Sequence, residues 1–148
     1  MKQKQLRPGR SGPVNFEARK VRDIVEPVRS ISYKTSVKAA LEEMQARATQ
    51  SSPVMGERGE LLGTLWKDKA NREVGGLGHD PQTEAVAAHL DKNSAYCLEE
   101  QTIAEAEQIM LRAKIGDIPV VTGEKLLLGT ISIEAIARGK DGSNRQES

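Results

Sequence analysis

The chain has 148 residues, and its 22 basic and 21 acidic side chains leave a formal charge of +1, which excludes a uniformly basic nucleic-acid binder. Leu, Ile, Val and Phe make up about 22% of it, enough for a modest core and just above the range in which chains stay disordered. No apolar run approaches the roughly 20 residues of a membrane-spanning helix. A single cysteine, Cys97, cannot form an internal disulfide or a Cys-based metal site, which points to a reducing cytoplasm.

The neutral total hides a split. Residues 1–22 hold seven basic residues against one acid, a local +6, so the remaining 15 basic and 20 acidic residues sum to −5. Residues 1–15 read as a loose basic arm that carries Pro8, Gly9, Gly12 and Pro13, has no aromatic residue and lacks the apolar stretch of a secretory signal. A solvated arm is the expectation, in preference to a nucleic-acid contact.

Beyond the arm, Val21, Ile24 and Val25 are at helical spacing ahead of Pro27-Val28. Thr35-Ser36 can cap a helix with Val37, Ala40, Leu41 and Met44 on its apolar face. Pro53-Val54-Met55 reads as a strand opening on proline. A turn at Glu57-Arg58-Gly59-Glu60 leads to a second strand, Leu61 to Leu65, and a helix starting near Trp66. The Gly75-Gly76-Leu77-Gly78 stretch breaks that helix, and helical spacing resumes from Thr83 to Leu90. After the extended Ser94 to Leu98, the same series returns: a helix capped by Thr102 with Ile103, Ala106, Ile109 and Met110, a strand at Pro119-Val120-Val121, a turn at Gly123-Glu124-Lys125, a strand from Leu126 to Ile131, and a helix from Ser132 to a stop at Gly139.

The return is an internal repeat. At one ungapped offset of 66 residues, Val37 meets Ile103, Ala40 meets Ala106, Met44 meets Met110, Pro53-Val54 meets Pro119-Val120, and Leu62-Gly63-Thr64 meets Leu128-Gly129-Thr130. Each copy of about 60 residues is too small for a robust core of its own, so the two are expected to share one buried interface.

The helix ending in Met, the Pro-Val strand, the Leu-Gly entry to the next strand and the lead-in Lys20-Val21-Arg22-Asp23-Ile24-Val25-Glu26-Pro27 together resemble the cystathionine-beta-synthase (CBS) domain pair, or Bateman module, over about residues 20–138. The resemblance implies an α/β (α+β) fold of tandem β-α-β-β-α motifs packed through their sheets into a pseudo-two-fold disc. It implies one CBS domain pair over 16–138, with a first motif at about 20–76 and a second at about 83–138, followed by a polar tail over 139–148. It also implies a stand-alone, non-enzymatic homodimer that senses an adenine nucleotide or related ligand (AMP, ADP, ATP or S-adenosylmethionine) in a cleft between motifs and regulates a partner protein whose identity the sequence leaves open.

The family's ligand signature places a Ser or Thr three residues after the strand glycine and an Asp three residues later. A hydroxyl and a carboxylate at a helix N-terminus can bind ribose hydroxyls, and the helix end favours phosphate. In the second motif these positions are Ser132, which fits, and Ala135, which does not. In the first motif they are Trp66 and Lys69. The resemblance makes Cys97, Ile118, Pro119, Val120, Ser132 and Ala135 the ligand-site residues of the second motif, and Pro53, Trp66 and Lys69 those of the first. Four of these have an ordinary alternative: Ser132 as a helix cap, Trp66 as a plug or interface residue, Lys69 with its neighbour Lys67 as a solvated charge, and Cys97 as a small buried hydrophobe. If the clefts have degenerated, the chain is a structural or interaction module. His79 and His89, in a turn and a helical run, are not expected to bind metal, and no nucleophile–base–acid arrangement is visible.

Overall fold

In the computed structural model, residues 15–76 and 78–147 are described, the side chains as far as Gly142. The basic residues of the arm at positions 2, 4, 7 and 10 lie outside the described residues. The elements are β1 (Ile31–Ser32), α1 (Val37–Arg47), β2 (Ser51–Met55), β3 (Leu61–Trp66), α2 (Lys67–Val74), β4 (Cys97–Leu98), α3 (Ile103–Ala113), β5 (Asp117–Val121), β6 (Leu127–Ser132) and α4 (Ile133–Glu147). Short 3-10 turns precede them at Phe16–Ala18 and Val21–Asp23, and another lies at Val86–His89. The strands form two three-stranded sheets, ordered β1-β2-β3 and β4-β5-β6. This is the mixed α/β architecture expected from the repeat.

The repeat is visible in the caps. The Ser36 hydroxyl accepts from Ala39 N–H at the start of α1, and Thr102 with Glu105 forms a reciprocal capping box at the start of α3. Both helices end in a left-handed residue, Ala48 (φ 56°) and Lys114 (φ 59°), whose strain is offset by main-chain bonds such as Thr49 N–H to Met44 O and Ile115 N–H to Met110 O.

The prolines do not open their strands as expected; each is the third residue of β2 or β5. Pro53 is opposite Thr64, whose N–H and C=O both pair with Asp91, on the side away from β2. Pro53 therefore turns its own backbone edge toward β1, which begins pairing only at Val54. The missing N–H falls beyond the end of that short strand.

The chain divides into two compact units. The first-motif unit comprises residues 27–94 with 121–129. Its core is Ile31, Val37, Ala40, Met44, Val54, Leu65, Ala70 and Val86. The second-motif unit comprises the described residues up to Glu26, 95–120 and those from Thr130 onward, around Cys97, Ile103, Ala106, Met110, Val120, Ile131 and Ile136, with Phe16, Val21 and Ile118. Seven of these core positions match one for one at the 66-residue offset, from Ile31 with Cys97 to Ala70 with Ile136.

Two expectations are corrected by the lead-ins. Neither is an α-helix: Val21–Asp23 and Val86–His89 are single 3-10 turns. Each also serves the other motif. Val21 N–H donates to Gln101 O, and Ile103 N–H at the start of α3 donates to Arg19 O. In the first-motif unit Val86 N–H donates to Thr35 O, Val37 N–H to Glu84 O and Lys38 N–H to Pro81 O. The leading N–H groups of each helix are thus satisfied by a segment from the opposite end of the repeat. Gly63 permits the matching contact on β3, since a Cβ there would lie 2.7 Å from Asp91 O.

The last helix is also longer than expected. It does not stop at Gly139 but continues to Glu147, so the segment read as a tail is helical. Gly139 serves close packing instead: a Cβ there would sit 2.1 Å from the Phe16 ring.

Candidate functional site

In the second-motif unit the structure brings most of the expected residues together. Cys97, Ile118 and Val120 belong to one core cluster, each 1% exposed or less, and Pro119 is buried between the latter two. Burial pushes the Cys97 thiol up to about 12, so it is a neutral, small apolar group. Ser132 closes β6 and caps α4: its Oγ accepts from Ala135 N–H at 3.0 Å. The preceding helix donor, Ile133 N–H, is taken by Gly116 O at 2.8 Å. Beside them the lead-in residue Glu26 exchanges both main-chain bonds with Thr130, at 2.9 Å each. Three pieces of chain therefore frame the end of β6: a buried apolar strand, an extended edge and a hydroxyl at a helix start.

The first-motif unit is built alike but carries different chemistry. Pro53 is buried in β2. Trp66, half-buried, occupies the position before α2 and makes no side-chain cap. Lys67 N–H is satisfied by Gln50 O, and its ammonium donates to Gln45 Oε1 on α1. Lys69 stands one turn before Glu73, whose carboxyl is held below its usual pKa chiefly by a hydrogen bond to His89 and to a lesser degree by the Lys69 charge. Trp66 itself, the residue at the position of Ser132, carries no hydroxyl.

A groove of about 690 Å³ opens on another part of the first-motif unit, lined by Lys38, Leu41 and Gln45 of α1, Asn71 and Val74 of α2, and Asp80-Pro81-Gln82. None of the expected ligand residues lines it.

The histidines, which the sequence reading leaves in a turn and a helical run, come together in the structure. His89 is 5% exposed. Its Nδ1 lies 2.6 Å from Glu73 Oε1 and its Nε2 lies 2.6 Å from Glu84 Oε1, while His79 Nδ1 is 2.8 Å from Glu84 Oε2. Burial opposes charge on His89, but the Glu73 and Glu84 carboxylates overcome it and raise the pKa. Hydrogen bonding to His89 is the main cause holding Glu73 and Glu84 below the usual carboxylate range. The only sequence signal is the even spacing of His79, Glu84 and His89 beyond the glycine-rich break. Glu73 joins from α2 through tertiary packing alone.

Residues 21–65 and 86–141 match the CBS domain family. Among curated proteins, inosine-5'-monophosphate dehydrogenase of Aquifex aeolicus (strain VF5) is 30% identical over 122 residues, 82% of this chain and 24% of that protein. The chain thus spans about a quarter of that relative's length. Among solved structures, Hypoxic Response Protein I with two coordinated zinc ions aligns with a TM-score of 0.72 at 23% identity, over 81% of this chain and 98% of that one. CBSX2 in complex with AMP aligns with a TM-score of 0.72 at 20% identity, over 85% and 98% respectively. No helix among the described residues is long and apolar enough to cross a membrane.

Proposed function

Because this chain belongs to the CBS domain family, we propose that it is a non-enzymatic regulatory module that binds an adenine nucleotide or related adenosyl ligand and signals to a partner protein. The second-motif unit is the ligand site in this reading. The observation that carries it is the Ser132 hydroxyl at the start of α4. Its oxygen accepts from Ala135 N–H, which leaves its proton to donate to a ribose oxygen. The buried Ile118-Pro119-Val120 run and the neutral Cys97 supply the apolar character that an adenine ring needs, and the helix end favours a phosphate. The AMP complex of the similar CBSX2 structure supports the ligand class. A cytoplasmic homodimer fits the single reduced, buried Cys97 and the solvent-facing Leu111 of α3.

Isothermal titration of nucleotide-free protein with AMP, ADP, ATP and S-adenosylmethionine tests the proposal. At least one should give saturable heat, and Ser132→Ala should weaken it about tenfold, the worth of one hydrogen bond to a ligand hydroxyl. Absence of heat and of any thermal shift with all four would favour the second reading, an interaction module without ligands. Trp66, Lys69 and Ala135 at the signature positions favour that reading, which predicts a stability indifferent to nucleotides.

A further inference from the structure

We infer that His79, Glu84 and His89 form a binding site for one divalent transition-metal ion of the zinc class, with Glu73 orienting His89 from behind. The inference is independent of the nucleotide reading and concerns the first-motif unit alone. One donor atom from each of the three residues lies within 4.8 Å of the others. Glu84 stands in the middle, one carboxylate oxygen 2.6 Å from His89 Nε2 and the other 2.8 Å from His79 Nδ1.

Two features distinguish this cluster from a surface ion pair. His89 is almost fully buried, and its far nitrogen, Nδ1, faces the Glu73 carboxylate at 2.6 Å. A carboxylate behind Nδ1 is the arrangement that typically supports metal-binding histidines; Nε2 faces Glu84 just as closely, so an incoming ion takes the place of the proton held between them. The backbone is also set in place. Asp80 N–H donates to Glu84 Oε2, Glu84 N–H donates to Asp80 O, and Glu84 O accepts from Val37 N–H at the start of α1. The middle ligand is therefore held from both its side chain and its main chain before any ion arrives.

The charge and donor types select the ion. Once the ion has displaced the proton between His89 and Glu84, the two carboxylates, Glu73 and Glu84, with two neutral imidazoles leave −2, which a divalent cation neutralises. Two imidazole nitrogens and one carboxylate suit Zn²⁺ and its neighbours, whereas Mg²⁺ and Ca²⁺ take oxygen ligands. Zinc bonds of about 2.0–2.2 Å in a tetrahedron set donors about 3.3 Å apart, so the two Glu84 contacts must lengthen by about 0.5–0.7 Å while the widest donor pair, within 4.8 Å, draws in. His79, with its side chain 39% exposed, has the freedom to move. Three protein ligands leave a fourth position for water or an anion. The bound ion would clamp the segment joining the motifs onto α2.

The test is titration of the full chain, free of any affinity tag and stripped with a chelator, with Zn²⁺ against a competing chromophoric chelator. One equivalent per chain with micromolar or tighter affinity is expected, together with a higher Tm. His79→Ala and Glu84→Gln should each weaken binding at least tenfold, with circular dichroism confirming that both variants fold. Co²⁺ should give the intense visible bands of a tetrahedral site in the native chain and lose them in both variants. No saturable Zn²⁺ binding, less than tenfold weakening in either variant, or equal affinity for Mg²⁺ would overturn the assignment.

Discussion

Phe16 packs face to backbone against Gly139 of α4, close enough that a Cβ on the glycine would lie 2.1–2.5 Å from three ring carbons. The ring is the chain's only phenylalanine and is 8% exposed. It joins the first 3-10 turn to α3 and α4 within the second-motif unit. A residue type that ordinarily weakens a helix interior is retained here because it admits an aromatic ring.

Glycine-to-alanine substitutions in α4 should therefore differ in sign. Gly142 has open space around the Cβ position, and Gly142→Ala should stabilise by up to about 1 kcal/mol through helix propensity. Gly139→Ala should destabilise by about 1–3 kcal/mol, because displacing the ring costs more than propensity returns. Urea unfolding of both variants checks the pair, and equal effects would refute the packing argument.

Lys140, one residue further on, donates to both oxygens of Glu107 at 3.0 and 2.9 Å and lies 3.5 Å from Glu17. The Glu107 hydrogen bond raises its pKa above the ordinary lysine value of 10.5, with burial acting against it. A raised folded-state pKa means that this stabilisation is complete below the unfolded value and is lost as pH rises through the folded one. Lys140→Met should cost about 0.5–1 kcal/mol at pH 7, a figure kept small by solvent screening of a partly exposed pair. The gap to the native chain should hold to pH 9 and close above about 10.5.

Cys97 should be inert in the folded chain. Its thiol, 1% exposed, is raised from 9.0 to about 12 by burial, so almost no thiolate exists at pH 8. Iodoacetamide labelling followed by mass spectrometry should be at least 100-fold slower in the native chain than in urea. The same shift makes ionisation a force for unfolding. The stability it confers is whole below about pH 9 and is lost as pH rises toward 12.

Leu111 tests the dimer. It is 56% exposed on α3, beside a helix face whose Ile103, Ala106 and Met110 are fully buried. If a second copy covers it, Leu111→Glu should raise the dimer dissociation constant at least tenfold, read by light scattering across a concentration series. An unchanged mass in that series would remove Leu111 from the interface.

The local grammar was legible from the chain alone. Ser36 and Thr102 cap the helices they were expected to cap, Gly59 and Lys125 take up positive φ in the matched hairpin turns, and the 66-residue offset pairs the two cores position by position. These features depend on neighbours a few residues apart, so period and spacing reveal them. Ser132 was legible as a helix cap for the same reason, while its use toward a ribose rests on the family resemblance.

What spacing could not reveal is which distant segment meets which. Val21 opens the segment assigned to the first motif yet donates to Gln101 at the head of α3, and Val86 belongs to the segment assigned to the second yet donates to Thr35 at the head of α1. Gly139 looked like a helix stop because its partner, Phe16, is more than a hundred residues away. Glu73 reaches His89 across 16 residues, and only the packing of α2 on the 3-10 turn converts two scattered histidines into a cluster. The sequence by itself determined the main helices and strands, the starts of α1 and α3 and the duplicated plan, since caps, turns and apolar periods act along the chain. The exchange of lead-ins and the histidine cluster were decided by tertiary structure, because helix N–H groups and buried imidazoles take whatever partner the folded chain brings within hydrogen-bonding distance.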